Sequence, residues 1–567
     1  MPSRARRWTW PLAVAATTAV ALVLRLWGVR HGLPYAYNVD ENAHFVPRAI
    51  GLFGHDWNPH YFSNPPALTY LLHGVFAVWF GGGDATGRAF ARDPTEVFAV
   101  ARVATALVSV AAVPLVCLAG ARLLGRAAGL LAGALLAVAF LPVFYAHQAL
   151  NDAAGLTPLA LGLYGAAGVL RHGRRRDYAL AGAGLGLAWA TKYTAAIVLL
   201  PLLAAAFAGP GPPARAARRL GLGVAVALAA ALAADPYAVL DAANFVAGLR
   251  HQAGASGAAK LGITEDSGHV YYLWTLTWGL GWLPALAALG GALHLVRTDR
   301  RVAAVLVPAP VLFLMYMGLQ ERYFGRWVMP ALPFLCLLAA AAAVALVRLV
   351  PPRWRSAGAV LAAAGLCAQG LVFSVHSDLV LSRADTRAAA RAWLLAHVPA
   401  GAAVVIEPVV ADRWLGDPER WRNVAPDAVR LPGTQRLGDG QVLKRQPRST
   451  LAVGFDGYEH TLSPALLQAW EQAGVCWVMT GSTQAGRALA DPRAAPDAVA
   501  FYRALARRAD VVFRASPMSA GGAPPAFNFD WSFDYYPLSY RRPGPRIEVY
   551  RLRAGRCASR LAGGPRA

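Results

Sequence analysis

Residues 178–208 read YALAGAGLGLAWATKYTAAIVLLPLLAAAFA, an apolar run interrupted by one charge, Lys192. A helix needs roughly 20 such residues to cross a hydrocarbon core of about 30 Å, so the run is too long for one span and long enough for two short ones. Its flanks decide. Arg171, Arg174, Arg175 and Arg176 precede it and Arg215, Arg218 and Arg219 follow it. Basic clusters of this kind stay on the cytoplasmic side of a membrane. An even number of crossings must separate them, which predicts a turn near Thr191-Lys192-Tyr193.

The same rule organises the rest of the chain. Further apolar runs lie at 8–26, 97–118, 127–146, 154–170, 220–234, 272–296, 302–319, 327–346 and 357–375, with basic clusters at Arg122/Arg126, Arg297/Arg300/Arg301 and Arg348/Arg353/Arg355. Keeping every cluster cytoplasmic gives eleven spans, with 8–26 as a retained signal anchor and the apolar stretch 67–80 lying along the interface. The expected fold is therefore an α-helical polytopic membrane protein. Its transmembrane domain is 1–377, with a first outer loop at 28–96, and an extracytoplasmic α/β domain follows at 378–567.

Composition agrees: of 567 residues 56% are hydrophobic and 15% charged, and the mean hydropathy is +0.39. That is too apolar for a water-soluble chain of this length. The net charge of +23 would suit a nucleic-acid binder if it formed a patch, but here the basic residues punctuate apolar runs. The lipid bilayer is the expected partner and nucleic acid is not. Only Lys192, Lys260 and Lys444 are lysines, and this arginine excess reflects a GC-rich genome.

Beyond 377 the long apolar runs stop. Helical patterns at 384–397 and 498–508 alternate with strand patterns at 402–406, 475–480, 511–513 and 546–552. Loops are expected at 432–440 and 519–525. Cys476 and Cys557 fall here, where either a disulfide or two unpaired thiols fit. No CxxC, HExxH, P-loop or GxSxG pattern occurs, which removes the usual support for a zinc peptidase, a nucleotide-driven pump or an α/β-hydrolase.

The predicted topology collects Asp40, Glu41, Asp56, Asp152, Asp235, Asp241, Glu265, Asp266 and Glu321 on the outer side. In order along the chain come Asn38-Val39-Asp40-Glu41-Asn42-Ala43-His44-Phe45, Asn64-Pro65-Pro66-Ala67-Leu68-Thr69-Tyr70 and His147-Gln148-Ala149-Leu150-Asn151-Asp152. After them come residues 184–193, GLGLAWATKY, and Glu321-Arg322-Tyr323 with Pro330 and Pro333. Over roughly the first 350 residues this series resembles the polyprenyl-phosphate-sugar glycosyltransferases of the glycosyltransferase C (GT-C) superfamily. That group contains protein O-mannosyltransferases (family 39-like) and lipid A aminoarabinose transferases.

The resemblance implies a lipid-linked sugar donor, an acceptor that is a protein, lipid or glycan, and transfer with inversion outside the cytoplasmic membrane of a bacterium, the N-terminus being cytoplasmic. Such a reaction needs a base for the acceptor proton and cations for the departing phosphate. Asp40 matches the catalytic carboxylate. Glu41 either orients it or takes part in holding a divalent metal, and no tightly bound organic cofactor is required. His44 shares the Glu41 face if the stretch is helical.

Asp152 serves the site or caps its helix. Lys192, Arg322 and Arg326 hold phosphate or anchor the chain at the headgroups, and Tyr323 accompanies them. In the aminoarabinose transferases a basic residue precedes the Pro-Pro pair. Here that place is Asn64, which leaves the donor open, with His55, His60, His251, His269 and Lys260 in the outer loops as candidates to substitute for it or as solvated loop residues. The stretch 238–270 is expected to be a long loop acting as a flap. Two other functions fit such a chain: a carrier-lipid or glycan flippase, and a scaffold that binds without reacting. A flippase predicts working charges deep inside spans.

Overall fold

The computed structural model describes residues 4–36, 38–54, 56–263, 267–408, 421–424, 457–519, 522, 527–528, 530–531 and 538–558. They form two compact units. The first comprises Met1–Arg30, Asn38–Ala258 and Glu265–Leu379, the second His31–Tyr37, Ala259–Thr264 and Val380–Ala567. The expected loop at 432–440 lies outside the described residues, as do 520–521 and 523–525 of the other.

The first unit is helical. Among the described residues eight helices, from Thr9–Leu26 to Pro352–His397, are long and apolar enough to cross a membrane, nine if a bent pair counts as one. The expected division of 178–208 is present. Arg175–Thr191 is followed by a 3₁₀ turn Tyr193–Val198 and the helix Leu199–Ala208, and Lys192 between them has extended backbone at φ −151°, ψ 116°. These two halves are shorter than the nine. The chain is a multi-pass membrane protein of mostly helical structure with a small sheet.

Small residues set the helix packing. A Cβ added to Gly184 would strike the backbone of Gly162, and one on Gly186 would strike the carbonyl of Ala227. Helices Leu156–His172, Arg175–Thr191 and Pro213–Ala234 therefore approach backbone to backbone. Lipid offers no hydrophobic drive between helices, so close dispersion contact has to hold them together.

The bent pair has an identifiable cause. Arg126–Val138 and Phe140–Ala146 meet at 52° because Pro142 has no N–H to give Val138, and its ring would collide with that carbonyl. The freed carbonyls are recaptured from elsewhere. Ser374 Oγ donates to Val138 O at 3.0 Å, and Arg25 donates to Ala137 O at 3.0 Å and Leu136 O at 3.1 Å. Arg25 is fully buried, yet its guanidinium is satisfied by helix-end carbonyls that would otherwise be orphaned in hydrocarbon.

Both expected loops contain helices. In 28–96 these are a π-helical turn Glu41–Phe45 and helices Val46–Gly51, Ala67–Phe80 and Gly83–Arg92. The 238–270 expectation needs correcting, since Ala242–Ser256 is a helix. Ala242, Ala243, Ala247, Ala253 and Ala255 favour helix enough to outweigh Gly248 and Gly254. Phe245 packs on Phe62 at 5.8 Å between ring centres, and Asp241 accepts from Asn58 at 2.7 Å. The segment braces the first loop.

In the second unit the strands are β1 (Ala402–Ile406), β2 (Trp421–Asn423), β3 (Trp477–Gly481), β4 (Ala509–Ala515) and β5 (Ile547–Leu552). Their order is β2-β1-β3-β5-β4, with β1 parallel to β2 and β3 and with β5 antiparallel to β3 and β4. Helices Thr386–His397, Pro464–Ala473, Ser482–Ala490 and Pro496–Arg508 accompany the sheet. Cys476 and Cys557, 81 residues apart, form a disulfide.

At the carboxyl end of β1 the fully buried Glu407 accepts from the Tyr502 hydroxyl and the Gly481 N–H, both at 2.6 Å. Burial pushes its carboxyl up to about 8 against those two hydrogen bonds, and nearby Glu459 adds to the rise.

Candidate functional site

Asp40 and Glu41 are adjacent but face opposite ways. Successive helical residues point about 100° apart, so one turn can send one carboxylate into the bundle and the other out of it. Glu41 turns inward and is fully buried. Its Oε1 accepts from Arg102 Nε at 2.8 Å and Ala149 N at 2.7 Å, and its Oε2 from Arg102 Nη2 and Asn38 N, both at 2.9 Å. Three of these bonds tie the first loop to the fifth helix, Pro94–Val110, and to the segment after the broken helix, and the fourth closes the loop on itself. The Asn38 amide adds a bond to Gln148 Oε1 at 2.9 Å.

Asp40 turns the other way. Its Oδ2 accepts from Arg326 Nη2 at 2.6 Å, and its Oδ1 lies 3.7 Å from His44 Nε2. The same guanidinium presents Nε to Asp152 Oδ2 at 3.6 Å, and Asp152 Oδ1 accepts from Lys192 Nζ at 2.5 Å. Asp40, Arg326, Asp152 and Lys192 thus form a row of alternating charges drawn from four separate segments. Along the row exposure falls from 30% of the Asp40 side chain to 16% of Arg326 and 4% of Asp152, and is 13% for Lys192 at the far end.

Local backbone explains these positions. Asp40 is placed by its own N–H, which donates to Asn38 Oδ1 at 2.9 Å. Lys192 occupies the extended break between two short helices, which sends its side chain to Asp152 in the turn Asn151–Ala154. Asp152 lies in the first turn of Asn151–Ala154 but makes no capping bond, so its carboxylate goes to the two cations. Arg326 opens a 3₁₀ segment, Gly325–Ala331, with its guanidinium 4.8 Å from the Phe324 ring centre and 6.0 Å from that of Tyr145.

His44 stacks on Tyr61 at 5.1 Å and 8°. Burial is the main cause of a lowered imidazole pKa, reinforced by Arg48 and Arg326 and opposed by Asp40. The ring is therefore neutral at pH 7. Asn64 donates to the Tyr61 hydroxyl at 2.8 Å and faces Asn151 at 3.5 Å, which holds the Pro-Pro segment beside this wall. Tyr193, next to Lys192, donates to Phe62 O at 3.0 Å.

The structure therefore brings together Asp40, His44, Asn64, Asp152, Lys192 and Arg326. Glu41 stands behind them. Arg322 donates its backbone N–H to Ser256 O at 3.0 Å, and buried Tyr323 packs on Tyr271 at 4.6 Å. Among the described residues no group of three or more His, Cys, Asp or Glu is disposed to hold a metal ion.

Arg102 was missed in the sequence although it is the one charge in the run 97–118, a placement that marks a buried partner. Among the described residues of the helical unit Arg25, in the last turn of the first span, is the other fully buried arginine. Both are bonded within the protein.

Residues 95–236 match the family described as dolichyl-phosphate-mannose-protein mannosyltransferase. No curated protein matches the chain. The oligosaccharyltransferase of Archaeoglobus fulgidus in its apo form is similar in structure at 14% identity and TM-score 0.53, over 91% of this chain and 74% of that one. The same organism's AglB, in complex with an inhibitory peptide and a dolichol-phosphate, gives 13% and 0.52 over the same shares. ArnT from Cupriavidus metallidurans in the apo state aligns over 99% of this chain and 100% of its own, at 16% identity and TM-score 0.48. The chain is thus similar in fold to these oligosaccharyltransferases over most of its length.

Proposed function

We propose that this chain is an integral membrane glycosyltransferase of the GT-C superfamily that takes a sugar from a polyprenyl-phosphate carrier and passes it, with inversion, to a hydroxyl outside the cytoplasmic membrane of a bacterium. The observation that carries the reading is the charge row Asp40, Arg326, Asp152, Lys192. It sets a partly exposed carboxylate in one row with two cations, the groups that displacement of a phosphate by a hydroxyl requires. The family description of residues 95–236 and the dolichol-phosphate in the AglB complex support a lipid-linked donor.

In this reading the acceptor O–H breaks and its proton passes to Asp40 as the new C–O bond forms. The bond from the anomeric carbon to phosphate oxygen breaks with its electron pair on the phosphate, and Lys192 and Arg326 receive the added charge. Asp152 sets the spacing of the two cations, and Glu41 fixes the turn that aims Asp40. His44 and Asn64 form the wall beside the sugar, while Arg322 and Tyr323 flank the lipid carrier. The N-terminus is cytoplasmic, and the C-terminal domain recognises the acceptor.

The test is transfer from a labelled polyprenyl-phosphate sugar into membrane extract by purified wild type and Asp40→Asn. The variant should be slower by roughly 10²- to 10⁴-fold, the usual contribution of a positioned base. Equal rates would remove Asp40 from that role. Lipid scrambling without transfer from any donor would replace the enzyme by a flippase.

A further inference from the structure

We infer that Asp40 is also the resting counter-ion of Arg326, and that the donor's phosphate must displace it from the guanidinium before it can act as a base. The inference rests on the phosphate role proposed above for Arg326.

Arg326 serves two carboxylates at once, but unequally. Asp152 is nearly sealed, with 4% of its side chain exposed, and is held from its other oxygen by Lys192 at 2.5 Å. Asp40 has 30% exposed and sits at the open end of the row. An anion arriving from that side meets Asp40 first. Two anions cannot share one guanidinium edge without repulsion, and Asp40 is the more exposed of the two carboxylates.

The surroundings favour movement of the carboxylate and not of the cation. Arg326 lies against the rings of Phe324 and Tyr145, at 4.8 and 6.0 Å, contacts that resist a swing of its planar head. The backbone of Asp40 is pinned through its N–H to Asn38, while 30% of its side chain is exposed. The direction it can take is defined: Oδ1 is already 3.7 Å from His44 Nε2, and a small rotation brings the two within hydrogen-bond distance. Stacking on Tyr61 holds that imidazole in place.

The row thus has two arrangements. In one, Asp40 occupies the place of the phosphate. In the other, phosphate lies on Arg326 and Lys192, and Asp40, turned to His44, is available to the acceptor hydroxyl. Donor binds before acceptor, and no proton is taken while the donor is absent.

The test is binding of undecaprenyl phosphate to the full-length protein in nanodiscs, comparing wild type with Asp40→Asn. Removing the competing charge should tighten binding by roughly tenfold, about the 1.4 kcal/mol of one partly exposed charged contact, even as transfer is lost. Arg326→Gln should weaken it. Equal or weaker binding by Asp40→Asn, with wild type binding normally, overturns the inference alone. Absence of binding to wild type removes the phosphate site and the inference with it.

If Asp40→Asn fails to fold, infrared difference spectra of wild type carrying ¹³C-labelled aspartate decide the matter. Adding undecaprenyl phosphate should shift one carboxylate band away from its arginine-paired position. An unchanged spectrum at saturating lipid overturns the inference.

Discussion

Glu41 and Asp40 are neighbours in sequence with the same charge, and each is paired to an arginine, yet the two pairs differ in kind. Glu41 is sealed against Arg102, with both side chains fully buried and four donors on its two oxygens. Asp40 meets Arg326 in a place that is partly open, with a second carboxylate and a histidine within reach. A charge so completely bonded in the interior has no alternative arrangement of comparable energy and acts as a bolt. A charge at the rim exchanges partners at low cost, which is what a reaction demands.

The comparison breaks most sharply at the bolt. Glu41→Gln leaves Arg102 buried without its counter-charge and should destabilise the helical unit by about 3–5 kcal/mol, seen as loss of folded protein in a detergent melt. Glu41→Met combined with Arg102→Leu should recover most of that stability, because the partners are then removed together. Asp40→Asn should do the reverse. Its transfer rate falls by the two to four orders of magnitude given above, while the melt moves by no more than about 1 kcal/mol.

A third carboxylate sharpens the contrast. Glu407 is as deeply buried as Glu41 but is met by a phenol and a backbone N–H, not by an arginine, and its pKa is pushed up to about 8. A raised folded-state value means that its stabilising effect is complete below its ordinary pKa of 4.5 and is lost as pH rises through 8. Hydrogen-exchange protection at β1 and β3 in the full-length protein, corrected for the intrinsic rise of exchange with pH, should therefore fall between about pH 5 and pH 8. Glu407→Gln should flatten that dependence. The smallest effect belongs to Ser374→Ala, which removes one donor from Val138 O and should cost about 1 kcal/mol, with transfer unchanged.

What was legible in the sequence follows from the range of the forces involved. Apolar runs and arginine clusters are local signals, and they located the helices and the break at Lys192. Strands β1, β3, β4 and β5 showed through their apolar runs, whereas β2, three residues long, gave no pattern. The helix Ala242–Ser256 was hidden by glycine and serine in an alanine-rich stretch. Asp40, His44, Asn64, Asp152, Lys192 and Arg326 could be named from the sequence but their geometry could not, and nothing local set them apart from Arg322 and Tyr323, whose contacts are to Ser256 and Tyr271. Nothing local says that Asp40 turns to Arg326, 286 residues away, while Glu41 turns to Arg102. The bend at Pro142 was also missed, since a proline inside a short apolar run does not announce who will take the freed carbonyl.

That carbonyl sets a timetable for the growing chain. Val138 is made long before Ser374, which follows it by 236 residues. At synthesis rates of roughly 5–20 residues per second, the gap is on the order of 10–50 s. Arg25 waits likewise for Leu136, 111 residues later. For that interval the first span carries a buried charge without its partners, and the third carries a helix end only half covered. The contact of Arg25 closes when the third span arrives and that of Val138 only when the last one does, so this membrane domain is finished by its final span and not by its first.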